Sequence, residues 1–354
     1  MVEIVILDGQ NFNVKDYTFS NNYTIIFDSL VQNNSSFNIT KRDINAVEND
    51  ILITRNFDKQ YIGVISSIDK SEQLTTISCY HFSKKFDITY IGSSKTDINL
   101  GDYIKQIIED NLIKSDDSLQ NISYLSVINK SNITGAVALT ANASSNILDV
   151  ITSILKSYEL VMNYNIVYSD SGGFKGIEID IEDVNDELTI DAKTKFIKDI
   201  TISDGKAGAV NKLIYYPSSD NILYKTILKY YLLNDGTISE NADDINRITP
   251  VVIQSEYYGD ADIYYDAGAT LLAKVKEIFA GTTYNHYIKF TLNNNEAIPI
   301  NLINLGDRVI FKYEDKVYKS IVTQLYYSSA TGNVQIQLGL NRINLTDKLA
   351  MKGK

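Results

Sequence analysis

The sequence predicts a mostly β protein that combines two similar antiparallel β-barrel domains with an α+β domain and a small helix-bearing insert. Three observations predict this fold class. Short segments of alternating apolar and polar residues, such as Val334–Leu338, recur along the chain and are typical of strands with one buried face. Two distant stretches share one such pattern. Helical periodicity is limited to three segments, near residues 100–112, 145–158 and 266–280.

The shared pattern aligns residues 49–68 with residues 306–325 without a gap. Identical residues lie at five positions: Asp50, Ile53, Asp58, Lys59 and Tyr61 match Asp307, Ile310, Asp315, Lys316 and Tyr318. Each stretch leads to a polar turn and then an alternating strand, Thr75–Tyr80 in the first and Val334–Leu338 in the second. The sequence therefore predicts one barrel unit that occurs twice, with Tyr61 equivalent to Tyr318 and Ile65 equivalent to Val322.

Residues 1–98 are predicted to form the first barrel. Val2, Ile4 and Ile6 begin a strand that ends at the Asp8-Gly9 turn, and further strands follow over 17–30, 36–40 and 50–90. Helical periodicity does not occur in this part of the sequence, which favours an all-β domain.

Residues 99–197 are predicted to form the α+β domain. One helix begins near Leu100 with Asp102 as its N-cap, and a second spans 145–158 with Ser144 or Ser145 as its cap. Two strands, 160–168 and 174–181, follow and are joined by the loop 169–173, which has the composition of a hairpin turn.

The second barrel is predicted over 198–260 and 300–342, interrupted by the helix-containing insert 261–299 and followed by a short tail, 343–354. Its expected strands are 197–203, 211–216, a hairpin at 222–233 closed by Asn234-Asp235-Gly236, and 251–257. Within the insert, the sequence predicts a helix over 266–280 and a strand over 284–292.

Composition excludes several classes of protein. The apolar fraction of 44% indicates a folded chain, and the net charge of −11 without any basic run argues against a nucleic-acid-binding groove. Cys79 is the single cysteine, so an intrachain disulfide or a thiol-rich metal site is not expected. The start, MVEIVILDGQ, lacks the features of a signal peptide, and the sequence has no apolar run of about 20 residues for a membrane span.

Motifs of catalysis or cofactor binding are also missing from the sequence. His81 and His286 lie far apart and outside any metal-ligand spacing, so both are expected to be structural or exposed. Ser171-Gly172-Gly173 is a turn rather than a nucleophile elbow, and the Gly205–Gly208 segment lacks the spacing of a phosphate-binding loop. We therefore predict neither catalytic residues nor a metal or cofactor site.

One carboxylate-dense run remains, formed by Asp180, Glu182, Asp183, Asp186 and Glu187. It could belong to a calcium loop or a glycosidase acid pair. It lacks the glycine and the terminal bidentate glutamate of a calcium loop, and the end of a solvated strand explains it more simply.

The order of domains, a barrel, an α+β domain and a second barrel split by an insert, resembles the tail hub proteins of bacteriophages. That family includes the baseplate hub of contractile tails and the N-terminal structural region of the tail-associated lysins of long-tailed phages. The likeness covers about residues 2–342. Its most specific segments are Thr54–Ile65, which is similar to the first-barrel hairpin of these hubs, Asn211–Tyr216, similar to their return into the barrel, and Leu305–Gly339, similar to the closing barrel strands.

The resemblance implies a homotrimer at the tail tip of the virion, made in the bacterial host cytoplasm. Two barrels in each of three chains would match a six-fold tail tube and surround the channel for DNA and the tape measure protein. Expected partners are the distal tail protein, the tape measure protein and a spike, fibre or separate lysin. The acidic balance of 44 Asp and Glu against 33 Lys and Arg suits a channel through which DNA must slide without specific binding.

Many tail-associated lysins carry a further cell-wall-degrading region beyond their hub part. The resemblance described above concerns the hub part alone, so we do not expect a cell-wall-degrading region within residues 1–354. We expect a structural protein rather than an enzyme. Two alternatives stay open at this stage. One is a carbohydrate-binding or cell-wall-degrading β protein that uses the Asp180–Glu187 cluster or surface tyrosines, and the other is the hub of a contractile phage-tail-like bacteriocin.

Overall fold

A computed structural model of the chain describes residues 1–28, 33–40, 43–56, 59–139, 144–184, 188–203, 209–217, 227–258, 268–283, 286–293, 298, 300–330 and 333–339.

The strands of the first part are β1 (Val2–Leu7), β2 (Val14–Ser20), β3 (Asn22–Asp28), β4 (Ser35–Ile39), β5 (Ile51–Asn56), β6 (Lys59–Lys70), β7 (Thr75–His81), β8 (Thr89–Ile91) and β9 (Lys95–Asn99). The middle part contains α1 (Leu100–Ile108), β10 (Leu125–Asn129), β11 (Thr134–Val137), β12 (Ser144–Asn146), α2 (Ile147–Tyr158), β13 (Leu160–Tyr168), β14 (Phe174–Asp183) and β15 (Leu188–Asp191). The last part contains β16 (Ile197–Ser203), β17 (Lys212–Pro217), β18 (Leu228–Leu232), β19 (Ile238–Ser239), β20 (Ile253–Tyr258), α3 (Gly268–Thr283), β21 (Tyr287–Leu292), β22 (Arg308–Tyr313), β23 (Lys316–Ser328) and β24 (Val334–Leu338).

Thirteen of these strands form one large sheet that contains strands from both ends of the chain. Its main path runs β16-β21-β24-β23-β3-β4-β7-β6-β5-β1-β2, and β22 and β15 extend from β23. Every pair along the main path is antiparallel, whereas β15 and β22 are parallel. The mostly antiparallel β character predicted from the sequence is confirmed.

One face of this sheet buries a large apolar core. Phe37, Tyr61 and Ile65 reach it from the N-terminal strands, and Phe290 and Val322 reach it from the C-terminal strands. The two halves of the sheet therefore share a single core. Alternating strands place one residue in two on this face, which is why β4, β7 and β24 have a strict period of two in sequence.

The strands β1, β5 and β6 are buried on both faces. Ile4 and Ile6 face the shared core, whereas Val5 and Leu7 belong to a second core that includes α1, α2, β13 and β14. This explains the continuous apolar runs IVIL in β1 and ILI in β5, which a half-exposed strand would not have. The α+β part thus covers the outer face of the first half of the sheet.

The α+β part contains a three-stranded sheet in the order β10-β14-β13, with the predicted hairpin β13–β14 at its edge. The predicted helix caps are wrong by a few residues. Asn99, not Asp102, is the N-cap of α1 and accepts a hydrogen bond from the Asp102 N–H at 2.9 Å. Asn146, not Ser144 or Ser145, caps α2 by the same contact with the Asp149 N–H. In both cases Asp lies in the first turn, where it stabilises the positive end of the helix.

The strands β17, β18, β19 and β20 form a four-stranded sheet of their own, although the sequence pattern assigned them to the second barrel. Leu213, Tyr215 and Leu232 of this sheet pack on Leu271, Val275 and Phe279 of α3, which forms a third, separate core. The apolar face of α3 explains why these strands form a sheet of their own, because the sheet covers that face and removes it from solvent. Residues 222–226 of the predicted hairpin over 222–233 lie outside the described residues. In the part of the chain that the structure describes, no helix is long and apolar enough to cross a membrane.

Closed barrels are not seen in the strand pairing of the described residues. The end of β23 pairs with β3 of the other half, so the strand that would close the second unit instead joins it to the first. The domain limits at residues 98, 197, 260 and 300 stay predictions.

Both histidines are buried, as structural residues would be. His81 ends β7, and its Nδ1 lies 2.8 Å from Ser83 Oγ while its ring packs edge-on against Tyr164 at 4.8 Å between centroids. The Nε2 of His286 lies 2.8 Å from Ser320 Oγ. Burial disfavours the imidazolium form and lowers the pKa of His81 to about 4.

The burial of His81 predicts a loss of stability in mild acid. Below pH 6.5 the unfolded chain binds a proton at His81, whereas the folded chain stays neutral there until about pH 4. We expect the free energy of unfolding to fall by up to about 3 kcal/mol over this window through His81 alone. Urea unfolding at pH 7 and pH 4.5 measures it, and His81→Gln should lose less stability between the two pH values than the wild type does. An unchanged pH dependence in His81→Gln would contradict the assignment.

Candidate assembly interface

The two halves of the large sheet contain one hairpin repeated with the same register. In unit 1, β5 and β6 pair from Ile51↔Val64 to Asn56↔Lys59. In unit 2, β22 and β23 pair from Arg308↔Ile321 to Tyr313↔Lys316. Every pair of the second hairpin is the corresponding pair of the first displaced by 257 residues, so Tyr61 is equivalent to Tyr318 and Ile65 to Val322. The sequence alignment of 49–68 with 306–325 is confirmed, although Asp58 lies outside the described residues.

The turn before each hairpin is built in the same way. Asn49 and Gly306 both have positive φ, 72° and 87°, a conformation that asparagine and glycine tolerate. The N–H of Asn49 donates to the Ile65 carbonyl at 2.9 Å, and the N–H of Gly306 donates to the equivalent Val322 carbonyl at 2.8 Å. A residue with positive φ allows a tight reversal of the chain, so that the strand begins two residues later, at Ile51 and at Arg308.

The identical aspartates of the two stretches cap these turns. Asp50 Oδ2 accepts a hydrogen bond from the Val47 N–H at 2.8 Å, and Asp307 Oδ2 accepts one from the equivalent Asn304 N–H at 2.7 Å. Asp50 has two further contacts, with the Gly9 N–H at 3.2 Å and Lys15 Nζ at 2.7 Å. The shared spacing of the two repeats thus has a physical cause, since a carboxylate at this position fixes the turn.

The likeness continues into the next strands. Each long strand has a bulge one residue after the turn contact, between Ile65 and Ser67 in β6 and between Val322 and Gln324 in β23. The bulged hydroxyls make equivalent bonds: Ser66 Oγ donates to the Ser78 carbonyl at 3.0 Å, and Thr323 Oγ1 donates to the Gln337 carbonyl at 3.3 Å. Unit 1 therefore consists of β5-β6-β7-β4-β3 and unit 2 of β22-β23-β24-β21-β16, in the same order.

The two units are joined by strand pairing. The end of β23 pairs antiparallel with β3, from Gln324↔Asp28 to Ser328↔Thr24. The join buries Leu325 and Ile25 to 0% and 1% exposure, respectively. Lys59 of unit 1 adds a polar contact, since its Nζ lies 2.6 Å from Asn304 Oδ1 at the start of unit 2. Burial at this join lowers the pKa of Lys59 to about 8.

Outside the region of β1, β5 and the start of β6 that the α+β part covers, the sheet face opposite the shared core is polar and carries few charges. Strand alternation and register place the following side chains on this polar face: Thr24, Ser36, Asn38, Ser67, Asp69, Thr76 and Ser78 from unit 1, and Lys198, Thr201, Ser203, Lys289, Thr291, Gln324, Tyr326 and Gln335 from unit 2. Most of them are uncharged and partly or fully exposed. We name this surface the polar face.

The acidic run of β14 is engaged in pairing on the α+β part. Lys130 Nζ lies 2.8 Å from Asp180 Oδ2 and 2.9 Å from Glu182 Oε1, and Asn165 also donates to Asp180. The Ser131 hydroxyl donates to Asp183. Asp186 and Glu187 lie outside the described residues. Among the described residues, no group of three or more His, Cys, Asp or Glu could hold a metal ion.

The chain is similar to known proteins in its structure, at low sequence identity. No protein-family model matches the chain, and no curated protein matches it. The prophage tail protein gp18 from Listeria monocytogenes EGD-e is similar over 99% of this chain and 98% of its own, with a TM-score of 0.58 and 15% identity. The tail protein from Neisseria meningitidis MC58 matches over 98% of both chains, with a TM-score of 0.57 and 12% identity.

A structure of the phage P2 baseplate in its activated conformation matches over 96% of this chain and 98% of its own, with a TM-score of 0.51 and 15% identity. The chain has the fold of phage tail and baseplate proteins. At these identities the likeness concerns the fold, and it spans nearly the whole of each matched chain. The resemblance to phage hubs that the sequence suggested is confirmed in this respect.

The paired aspartates of this tail-protein fold predict unequal effects on stability. Asp50→Ala removes the acceptor for two N–H groups and the partner of Lys15, whereas Asp307→Ala removes the acceptor for the Asn304 N–H. We expect Asp50→Ala to reduce the free energy of unfolding by about 2–4 kcal/mol and Asp307→Ala by about 1–2 kcal/mol. Urea unfolding monitored by circular dichroism measures both, with Asp116→Ala, at an exposed position, as control. A larger effect of Asp307→Ala would contradict the greater role given to the Asp50 carboxylate.

Proposed function

We propose that the protein is a structural hub at the tip of a phage tail, a homotrimer that joins the six-fold tail tube to the tip or spike. The observation that carries the proposal is the twofold repeat of one hairpin unit with the same register, joined within one sheet. Three chains with two equivalent units each present six similar surfaces, which suits a six-fold partner. The likeness of fold to phage tail and baseplate proteins supports the same role.

In this role the polar face lines the channel through which DNA and the tape measure protein pass. A binding groove for DNA requires clustered Lys and Arg to displace counterions. The polar face instead consists mainly of Ser, Thr, Asn and Gln, with Lys198 and Lys289 offset in part by Asp69. Such a wall would not hold a phosphate backbone, and screening over about 8–10 Å confines any repulsion to the wall itself.

The α+β part and the β17–β20 sheet with α3 would then lie outside the ring and brace it. The α+β part already covers the outer face of β1, β5 and β6. The partners proposed for the ring are the distal tail protein on the tube side, the tape measure protein in the channel, and a spike, fibre or separate lysin at the tip.

The number of copies provides the first test. Mass photometry and multi-angle light scattering of the full chain should give the mass of three copies, with a trimer fraction that rises with protein concentration. If the isolated chains associate weakly, three copies per tail should still be counted by quantitative mass spectrometry of purified virions against a tail-tube standard. A stable dimer, or six copies per tail, would overturn the proposal.

The same role predicts that the chain does not hydrolyse peptidoglycan. Purified cell walls incubated with the protein should release no more soluble fragments than a buffer control does. Fragment release that is lost in Asp180→Asn or Asp183→Asn would instead favour a cell-wall-degrading function for the acidic run of β14.

A further inference from the structure

A polar cavity of about 480 Å³ lies where three parts of the molecule meet. Lys59 and Gln60 of unit 1 form one side, β13 and β14 form the second, and residues 301–305, which precede the unit 2 hairpin, form the third. The Gln60 side chain reaches β13, since its Oε1 accepts a hydrogen bond from the Ile166 N–H at 3.4 Å. Sites for small ligands commonly have volumes of about 300–1,000 Å³ and lie between domains, so this cavity is large enough for one.

Side-chain amides are the commonest polar groups of the cavity wall. The two asparagines of β13 are held in place by carboxylates of β14. Asn163 Nδ2 donates to Glu182 at 2.9 Å, and Asn165 Nδ2 donates to Asp180 at the same distance. Their Oδ1 atoms accept no hydrogen bond from the described residues, so both can accept one from a ligand. The amides of the wall are those of Gln60, Asn163, Asn165, Asn301 and Asn304.

Two buried side chains of the wall each have one polar atom without a partner. Asp180 is 6% exposed, and its Oδ1 has no donor among the described residues, whereas its Oδ2 contacts Lys130 and Asn165. His81 is 7% exposed, and the Ser83 N–H donates to its Nδ1 at 3.3 Å, which places the hydrogen of the neutral ring on Nε2. This Nε2–H has no acceptor in the described part of the chain. Unpaired buried polar atoms cost stability, and a ligand that pairs with them removes that cost.

The charges of the cavity wall balance. Arg55 and Lys59 are positive, whereas Asp180 and Glu182 are negative. The low pKa of His81 keeps its ring neutral at pH 7. A charged ligand therefore gains little from the wall as a whole. An uncharged ligand with several hydroxyl groups can donate to the carboxylates and amide oxygens and can also accept from the guanidinium and the imidazole.

We propose that this cavity binds one neutral sugar ring, a hexose or an N-acetylhexosamine, either free or at the end of a polysaccharide. Each sugar hydroxyl both donates and accepts a hydrogen bond, which suits the unpaired Asp180 Oδ1 and His81 Nε2–H. Phe27 and Tyr164 add aromatic rings to the wall, against which the C–H groups of a sugar can pack. The proposal goes beyond the role at the tail tip and does not depend on the number of copies.

A sugar in this cavity would contact unit 1, the β13–β14 hairpin and the segment before unit 2 at the same time. It would bind only the arrangement in which these three parts are folded and adjacent. The melting temperature should therefore rise with sugar concentration, because a ligand that binds the folded state alone stabilises it.

A glycan array and isothermal titration calorimetry test the site. Labelled full-length protein on the array reports binding to sugars at the ends of polysaccharide chains. Calorimetry with free glucose, galactose, mannose and N-acetylglucosamine, each up to about 20 mM, reports binding of the free ring. We expect at least one of these sugars to bind once per chain with a dissociation constant of about 1 mM or lower, and array glycans that end in the same sugar to give the strongest signals.

Three variants locate the bound sugar. Asp180→Asn keeps the size of the side chain but removes the carboxylate, and Gln60→Ala removes one amide of the wall. Each should raise the dissociation constant by at least about fivefold. Gln10→Ala removes an exposed glutamine outside the cavity and should leave the constant within about twofold. Circular dichroism without sugar checks that each variant is folded, and Gln60→Ala retains the test if Asp180→Asn is not.

No binding on the array or in calorimetry would overturn the proposed site, since the cavity would then hold water alone. Binding that is unchanged in Gln60→Ala and in folded Asp180→Asn would place the sugar elsewhere and would also overturn it. Preferred binding of a charged sugar, such as glucuronate, would reject the neutral class. None of these results changes the copy number measured by light scattering, so failure of the sugar site and failure of the proposed trimer are distinguishable.

Discussion

The pairing of the β23 end with β3 is the interaction on which the rest of the structure depends. It connects strands from opposite ends of the chain and turns two hairpin units into one sheet with one core. Without it, Leu325 and Ile25 would be exposed and the apolar faces of both units would be incomplete at their edges. The same pairing explains why closed barrels are not observed among the described strands, because the strand that could close one unit binds the other.

The two units differ where their surroundings differ. Unit 1 places Ile51 and Ile62 on its outer face, where the helices of the α+β part cover them. The equivalent positions of unit 2 are Arg308 and Lys319, which are not completely buried. Arg308 there forms an ion pair with Glu159, the residue that ends α2. The two units therefore share one backbone arrangement. The residues that face the shared core are apolar in both units, whereas the residues on the outer face are apolar only in unit 1, where the α+β part covers them.

Much of this organisation could be predicted from the sequence. The five identical residues of the repeat include Asp50 and Asp307, whose contacts with the turn depend on their spacing, and period-two alternation located β16, β21 and β24 well. The strands β10 and β15 were missed because both pair in parallel with a partner strand, so that their sequence gives no hairpin signal. The membership of β17–β20 could not be predicted either, since alternation identifies a buried face without identifying the core that buries it.

A cryo-electron microscopy reconstruction of the assembled protein tests most directly whether the two joined units of each chain form the wall of a channel. We expect a ring of three copies in which the two units of each chain, joined through β23 and β3, surround the central opening. Thr24, Ser36 and Gln335 of the polar face should then line the central opening. A ring in which the α+β part lines the opening and the polar face lies on the outside would contradict this arrangement.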